Sequence, residues 1–370
     1  MNILFFIHCL IGGGAERVTV NLSEALVRRG HNVTIGLTEE IIDYQIDERV
    51  KISVLRPPIG YNGRIVLLRK FISLINRVSD YCGIKRIIKK SKPDVIVASW
   101  GSKTGPIISL HGRIPVIASE HNTFDREHTP DERRKRFFTN KKFNKVVVLT
   151  EYDKVFTKNF LDNTCVIPNP LSFAPLSYEE FDSIYPRRRN ILACGRINAY
   201  KVKGFDNLII AFSKIAMYYP GWDLDIAGAG TEQNIQVLKE LANVNGVEDR
   251  VHFLGFCNNI SEVMKQHSIF VLSSRSEGFG MVITEAMAMG CPCISYALTG
   301  PSEIINNGYD GILVDNQNIE RLSEEMSNLI GDEKLRRKLS MNALNSVTRY
   351  SVEVITDKWV NLFKEVIENG

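Results

Sequence analysis

Ser268-Ile-Phe-Val-Leu-Ser273 is a short apolar run that leads through Glu277-Gly-Phe-Gly-Met-Val-Ile-Thr-Glu285 into Ala286-Met-Ala-Met289-Gly290. The first run reads as a buried strand, and the segment after the glycine turn as a helix that stops at Gly290. A glycine turn between strand and helix lies at the carboxyl end of the strand. Open α/β sheets place ligands there, and helix-N-terminal amides are free there to receive phosphate oxygens. Glu277 stands in the turn, and Glu285 about one to two helical turns further on. Carboxylates accept hydrogen bonds from vicinal hydroxyls, which is the recognition that sugars and riboses demand.

Working outward, the same alternation of short apolar strands and helical stretches fills the chain. Strands are predicted over Ile3–Ile7, Asn32–Leu37, Val95–Ala98, Val116–Ser119, Val146–Leu149 and Cys165–Ile167, with a helix over Glu16–Arg29 closed by Gly30. Pro168-Asn169-Pro170 interrupts the pattern, and the polar, aperiodic stretch 171–188 reads as an interdomain linker. The rhythm resumes with strands over Asn190–Gly195, Asp223–Ala227, Val251–Leu254, Ile269–Leu272 and Cys293–Ser295, and a helix over Phe205–Tyr218. Helices over Ile319–Ile330, Glu333–Arg349 and Val352–Glu368 close the chain. This is the βαβ rhythm of parallel sheets, predicting an α/β protein of two Rossmann-like domains. A length of 370 residues suits two cores better than one.

Apolar content of 44% and charged content of 24% are those of a folded globular protein. Seven cysteines, mostly within apolar runs, read as reduced buried thiols of a cytosolic protein. The segment Met1–Ile11 lacks a basic leader and reads as a first buried strand rather than a signal peptide. No run of eighteen apolar residues is present to span a bilayer. Charge is uneven: residues 1–170 hold 27 Lys and Arg against 17 Asp and Glu, the remainder 19 against 25. A basic first half beside an acidic second half predicts that the first half alone meets a polyanionic surface.

Several groups carry candidate chemistry. Gly12-Gly13-Gly14-Ala15-Glu16-Arg17 joins the first strand to the first helix, either as a tight turn or as bare backbone open to a ligand. It lacks the third glycine of the dinucleotide fingerprint. Cys194-Gly195-Arg196 and Lys201-Val-Lys203-Gly204-Phe205-Asp206 place cations at the end of a strand and the start of a helix, where they can neutralise a leaving diphosphate. Lys203 is favoured over Lys201 because Gly204-Phe205-Asp206 fixes its register. Ser119-Glu120-His121-Asn122 follows a strand, with His121 either a structural hydrogen-bonder or a site residue. Asp223-Leu-Asp225 resembles a metal-binding Asp-x-Asp, but its aspartates alternate along a strand, and no metal site is expected. Residues 64–92 read as an amphipathic basic helix, and 133–142 add a second basic patch. A packing helix with a solvated cationic face is the alternative.

Together these elements resemble glycosyltransferase family 4, of the retaining GT-B class, and the likeness covers nearly the whole chain. The Glu277–Glu285 pair is similar to the family's Glu-x7-Glu element, and Gly13-Gly14-Ala15-Glu16 to its glycine loop. Arg196 with Lys203-Gly204-Phe205-Asp206 is similar to its cationic element. The resemblance implies two facing Rossmann-like domains, 1–172 for the acceptor and 187–350 for the donor, with the final helix (about 352–370) crossing back onto the first. It assigns catalysis to His121, Arg196, Lys203 and Glu277. It assigns nucleotide-sugar binding to Gly13, Gly14, Arg196, Lys203, Glu277, Phe279, Gly280, Met281, Val282 and Glu285. It implies transfer of a hexose or N-acetylhexosamine from a UDP-sugar to a polyprenyl-diphosphate-linked saccharide, without cofactor or metal. Arg69, Lys70, Arg133 and Arg134 are then expected to hold the acceptor side to an anionic membrane, with the protein cytoplasmic and peripheral on the inner face. An epimerase or hydrolase on the same fold is the rival within enzymes. A nucleic-acid-binding protein is the rival outside them, and the lack of a basic module interleaved with aromatics speaks against a nucleic-acid partner.

Overall fold

The structure is a computed structural model that describes residues 1–57, 66–99, 112–123 and 136–369. The chain divides into two compact units, Met1–Ser172 with the C-terminal segment from Val352, and Phe173–Ser351.

In the first unit β1 (Asn2–Ile7) pairs in parallel with β2 (Asn32–Leu37) and with β4 (Val95–Ser99), so Ile3 lies opposite both Val33 and Val95. These three strands are buried almost end to end, as strands covered by helices on both faces must be. With β3 (Lys51–Val54), β5 (Val116–Ser119), β6 (Lys145–Val148) and β7 (Thr164–Val166), the sheet runs in the order β3-β2-β1-β4-β5-β6-β7. The edge strand β3 escapes prediction because its four residues are half-buried or exposed, so it carries no continuous apolar run.

The first helix is Gly14–Arg28 and begins two residues before the predicted start. Gly13 takes the N-cap position, and its carbonyl accepts the Arg17 N–H at 3.0 Å. The final helix, Val352–Glu368, packs in this first unit, where Asp357 meets Arg29 at 2.6 Å and Glu365 meets Lys145 at 2.7 Å. Trp359 and Phe363, one turn apart, are buried with ring centroids 5.6 Å apart.

The second sheet comprises β8 (Arg188–Cys194), β9 (Asp223–Ala227), β10 (Val251–Gly255), β11 (His267–Leu272), β12 (Cys293–Tyr296) and β13 (Ile312–Val314), in the order β10-β9-β8-β11-β12-β13. All its pairings are parallel. Strand order reverses between β8 and β11. The loops that leave their carboxyl ends therefore lie side by side at a topological switch point, where such sheets hold ligands.

The linker expected over 171–188 is not one. Residues from Phe173 belong to the second unit and include a helix, Tyr178–Ser183, closed at its start by a capping box between Ser177 and Glu180. Phe181 is fully buried, with Arg187 and Arg337 at 5.2 and 5.7 Å from its ring centre, and the Leu176 N–H donates to the Ala288 carbonyl at 2.9 Å. The helix predicted over Glu333–Arg349 ends at Ser346 and gives way to a 3-10 turn over Val347–Tyr350. Of the cysteines, Cys82 is exposed and Cys165 and Cys257 half-buried, contrary to uniformly buried thiols.

Candidate active site

Two loops build the site in the second unit. After β8 the chain runs through Gly195 and Arg196 into a short turn and the one-turn helix Tyr200–Lys203, then through Gly204 into the helix Phe205–Ala216. Gly204 has a φ of 67°, and a Cβ there would stand 1.8 Å from the Ser273 carbonyl oxygen, so only glycine permits this approach. Across that contact lies the second loop, leaving β11 through Ser273, Ser274 and Arg275. The Arg275 N–H donates to the Val202 carbonyl at 2.8 Å, and Ser273 Oγ donates to the Lys203 carbonyl at 3.0 Å. The Arg275 guanidinium takes both Asp206 oxygens at 2.7 and 3.0 Å and Asn207 Oδ1 at 2.7 Å. Backbone and side chain together thus lock the loops to one another.

Within this frame Lys203 Nζ lies 2.6 Å from Glu277 Oε1, which also accepts Ser274 Oγ at 2.7 Å. The Lys203 stem crosses Gly195, where a Cβ would come within 3.2 Å of it. Lys201 is exposed two positions away, and its side chain has no partner among the described residues. The geometry therefore joins Lys203, not Lys201, to Glu277. Arg196 is exposed beside them, likewise without a side-chain partner among the described residues.

The helix Met281–Ala288 opens after Gly280, whose φ is 94°. The Ile283 N–H turns back to the Gly280 carbonyl at 2.8 Å, while the N–H groups of Met281 and Val282 meet no acceptor among the described residues. Such a helix start, with its positive dipole end, suits phosphate. Phe279 offers backbone only: its ring is buried edge-on against Tyr350, centroids 5.5 Å apart. Glu285 is 4% exposed in the second turn. Burial, and next the Glu285 charge, hold the Cys194 thiol well above its usual range.

The remaining predicted residues lie in the first unit. A Cβ at Gly13 would collide with the Glu16 carboxylate, 2.0 Å away, and Tyr44 Oη donates to the Gly13 carbonyl at 3.2 Å. Gly14 is the first residue of the helix behind. His121 follows β5, its Nε2 3.1 Å from Ser119 Oγ and its buried Nδ1 without a partner among the described residues. Burial lowers its pKa to about 4, so the ring is neutral at pH 7. Below it Glu120 and Arg136 form a buried ion pair at 2.7 Å, and Arg136 also donates to the Asn122 and Thr123 carbonyls.

Asp223 and Asp225 are not gathered as ligands. Asp223 pairs with Arg250 at 2.9 Å, and buried Asp225 with His267 at 2.8 Å. In the basic helix, observed over Val66–Ser91, Leu68, Phe71, Leu74, Ile75, Val78 and Tyr81 are exposed, whereas Ile84 and Ile87 enter the core. Among the described residues, only the last third of the helix enters the core. Lys70 is exposed; Arg133 and Arg134, and the side chain of Arg69, lie outside what is described.

Sequence reasoning missed Ser274 and Arg275. Ser274-Arg275-Ser276 looks like ordinary polar loop, and the only signal was its place between strand and glycine turn.

Residues 12–173 match the family model for Glycosyltransferase Family 4, and residues 179–346 the model for Glycosyl transferases group 1. The amylovoran biosynthesis glycosyltransferase AmsD of Erwinia amylovora is 29% identical over 94% of this chain and 95% of its own length. The GalNAc-alpha-(1->4)-GalNAc-alpha-(1->3)-diNAcBac-PP-undecaprenol alpha-1,4-N-acetyl-D-galactosaminyltransferase of Campylobacter jejuni is 25% identical over 99% of both chains. Anabaena Alr3699/HepE, solved in complex with UDP, superposes with a TM-score of 0.77 at 18% identity over 99% of this chain and 100% of that one. Two parallel-sheet units with these family matches define a glycosyltransferase of the GT-B class. Within that class the chain belongs to the glycosyltransferases of group 1 and family 4.

Proposed function

We propose that the chain is a retaining, metal-independent glycosyltransferase. It moves a hexose or N-acetylhexosamine from a UDP-sugar to a polyprenyl-diphosphate-linked saccharide during synthesis of a surface polysaccharide. The observation that carries this reading is the convergence of Lys203 and Glu277 at the switch point, beside exposed Arg196 and the open start of the Met281–Ala288 helix. Arg196 and Lys203 neutralise the departing diphosphate, and the Met281 and Val282 amides take its oxygens. Glu285 accepts from the ribose hydroxyls, and Glu277 from the donor sugar. The resemblance gives His121, Gly13 and Gly14 to the donor sugar as well, and His121 Nδ1 has no partner among the described residues.

The acceptor hydroxyl bonds to the anomeric carbon on the face from which the diphosphate departs. Its proton passes to the departing phosphate oxygen as the old glycosyl bond breaks, so configuration is kept without a protein base. The names of the Erwinia and Campylobacter relatives support a polysaccharide product and a lipid-linked acceptor, and the HepE complex supports UDP. The second unit holds most of the donor and the first the acceptor. The helix Val66–Ser91 rests on the inner face of an anionic membrane, with Lys70, Arg77, Lys85 and Arg86 exposed beside its apolar stripe.

Thermal shifts with UDP-, GDP- and ADP-sugars test the donor, because a ligand at 100 times its Kd adds about 2.7 kcal/mol. NMR of the product in the presence of EDTA tests the rest. No shift with any nucleotide sugar, an inverted anomeric centre, or metal-dependent turnover would overturn the corresponding part.

A further inference from the structure

The Glu277 carboxylate is held through one oxygen. Oε1 accepts both Lys203 Nζ and Ser274 Oγ, while Oε2 has no partner among the described residues. The ion pair is not what fixes the loops. Their register comes from Gly204 pressed against the Ser273 carbonyl, from the Arg275 N–H on Val202 and from Ser273 Oγ on the Lys203 carbonyl. The Lys203 ammonium can therefore leave Glu277 without either loop moving. Ser274 is fully buried, so its hydroxyl stays on Oε1 when the lysine departs.

We propose that Glu277 is an internal competitor for the diphosphate: in the donor-free enzyme its carboxylate occupies the ammonium that a nucleoside diphosphate must take. The inference rests on the reading of Lys203 as the diphosphate ligand. An intact donor strips Lys203 from Glu277 but compensates both groups, since its diphosphate takes the lysine and its sugar hydroxyls take the carboxylate. A nucleoside diphosphate alone also strips the lysine, yet it leaves Glu277 as a partly buried anion held by one serine hydroxyl. The pair thus discriminates the intact donor from the spent product and speeds product release. Ser274 is a positioning residue, keeping Oε1 fixed so that Oε2 faces the sugar in a constant orientation.

Calorimetric titration of the full chain with UDP, GDP and ADP tests this, using whichever binds the wild type tightest. Glu277→Gln keeps the shape and removes the charge, and should tighten that nucleoside diphosphate by about threefold to tenfold while lowering turnover. In a Lys203→Ala background the same change should leave affinity within about twofold, because the competition has lost its object. Ser274→Ala should lower kcat with nucleoside diphosphate affinity unchanged, a split that general loosening of the fold would not produce. Weaker or unchanged binding by Glu277→Gln overturns the proposal. Equal tightening with and without Lys203 also overturns it, by reducing the effect to general repulsion between two anions. If the wild type binds none of the three nucleotides, the assignment of Lys203 itself fails and takes this inference with it.

Discussion

Replacing Lys203 by alanine should damage catalysis severely, and replacing Lys201 should not. The Lys203 stem lies across Gly195 at the end of β8 and delivers Nζ to within 2.6 Å of Glu277, whereas the Lys201 side chain points into solvent. As the glycosyl bond breaks, the leaving phosphate gains negative charge. At about 4 Å and an effective dielectric of about 20, a full unit of charge is worth about 4 kcal/mol against an ammonium. A transition state about halfway along gains about half of that, or roughly thirtyfold in rate, and preorganisation in a partly dry site takes the loss towards a hundredfold. Lys203→Ala should therefore lower kcat by about thirty- to a hundredfold, and Lys201→Ala by no more than about twofold. Lys201 enters the loop lock only through its carbonyl, which accepts from Arg275, and alanine keeps that carbonyl. Initial rates of donor consumption, read beside the unfolding midpoint of each variant, decide the matter. Wild-type turnover from Lys203→Ala, or collapse of a well-folded Lys201→Ala, would refute the register.

Glu285→Ala should weaken nucleotide binding by about 1.5–3 kcal/mol, the scale of a lost charge-assisted hydrogen bond, and an unchanged affinity in a folded variant would remove the ribose role. His121 has a folded pKa of about 4 against an ordinary value of 6.5, so the unfolded chain takes up its proton first as pH falls. Stability should then drop between about pH 6.5 and pH 4, by up to about 3 kcal/mol from this group, with no effect above that window. His121→Gln should flatten that part of the urea-unfolding profile, and an identical acid slope would deny the buried neutral ring. Phe71→Ser, Leu74→Ser and Val78→Ser, made together on an already exposed face, should leave the unfolding midpoint within about 2 °C and abolish binding to anionic vesicles. Vesicle binding at wild-type strength would return the helix to an ordinary solvated role.

Why some of this was legible from sequence and some was not follows from where each signal resides. Burial on both faces makes each central strand a near-continuous apolar run, so β1, β4 and β11 announce themselves, while β3, at an edge and half-wet, does not. Glycine-bounded turns between strand and helix place Glu277, Gly280 and Lys203 at strand ends from local pattern alone. Phe181 gave no such signal. Its anchoring depends on Arg187 and Arg337, the second more than 150 positions away, and a lone aromatic in a polar, proline-flanked stretch looks like linker. The helix Val66–Ser91 was legible as a helix, but its periodicity could not say which part of its apolar stripe is covered.

The site itself depends on a fact that hydrophobic pattern never contains, namely which strands are neighbours. Lys203 and Glu277 are separated by 74 positions, and three strands, β9, β10 and β11, intervene in the sequence between them. Had β11 continued outward beyond β10, the Glu277 loop would emerge three strands away from β8, about 14 Å at the usual strand spacing, and no side chain would close the gap. The return of the chain to the middle of the sheet, with β11 against β8, brings cation and carboxylate together. Once the strands are adjacent, Arg275 and Asp206 meet across the same seam, and the Gly204–Ser273 contact sets the distance. Arg275 is thus the residue whose loss should separate the fold from the site. Arg275→Ala should leave every strand pairing and the backbone contacts between the loops intact, and should loosen the seam only through the lost guanidinium bonds to Asp206, Asn207 and the Lys201 carbonyl.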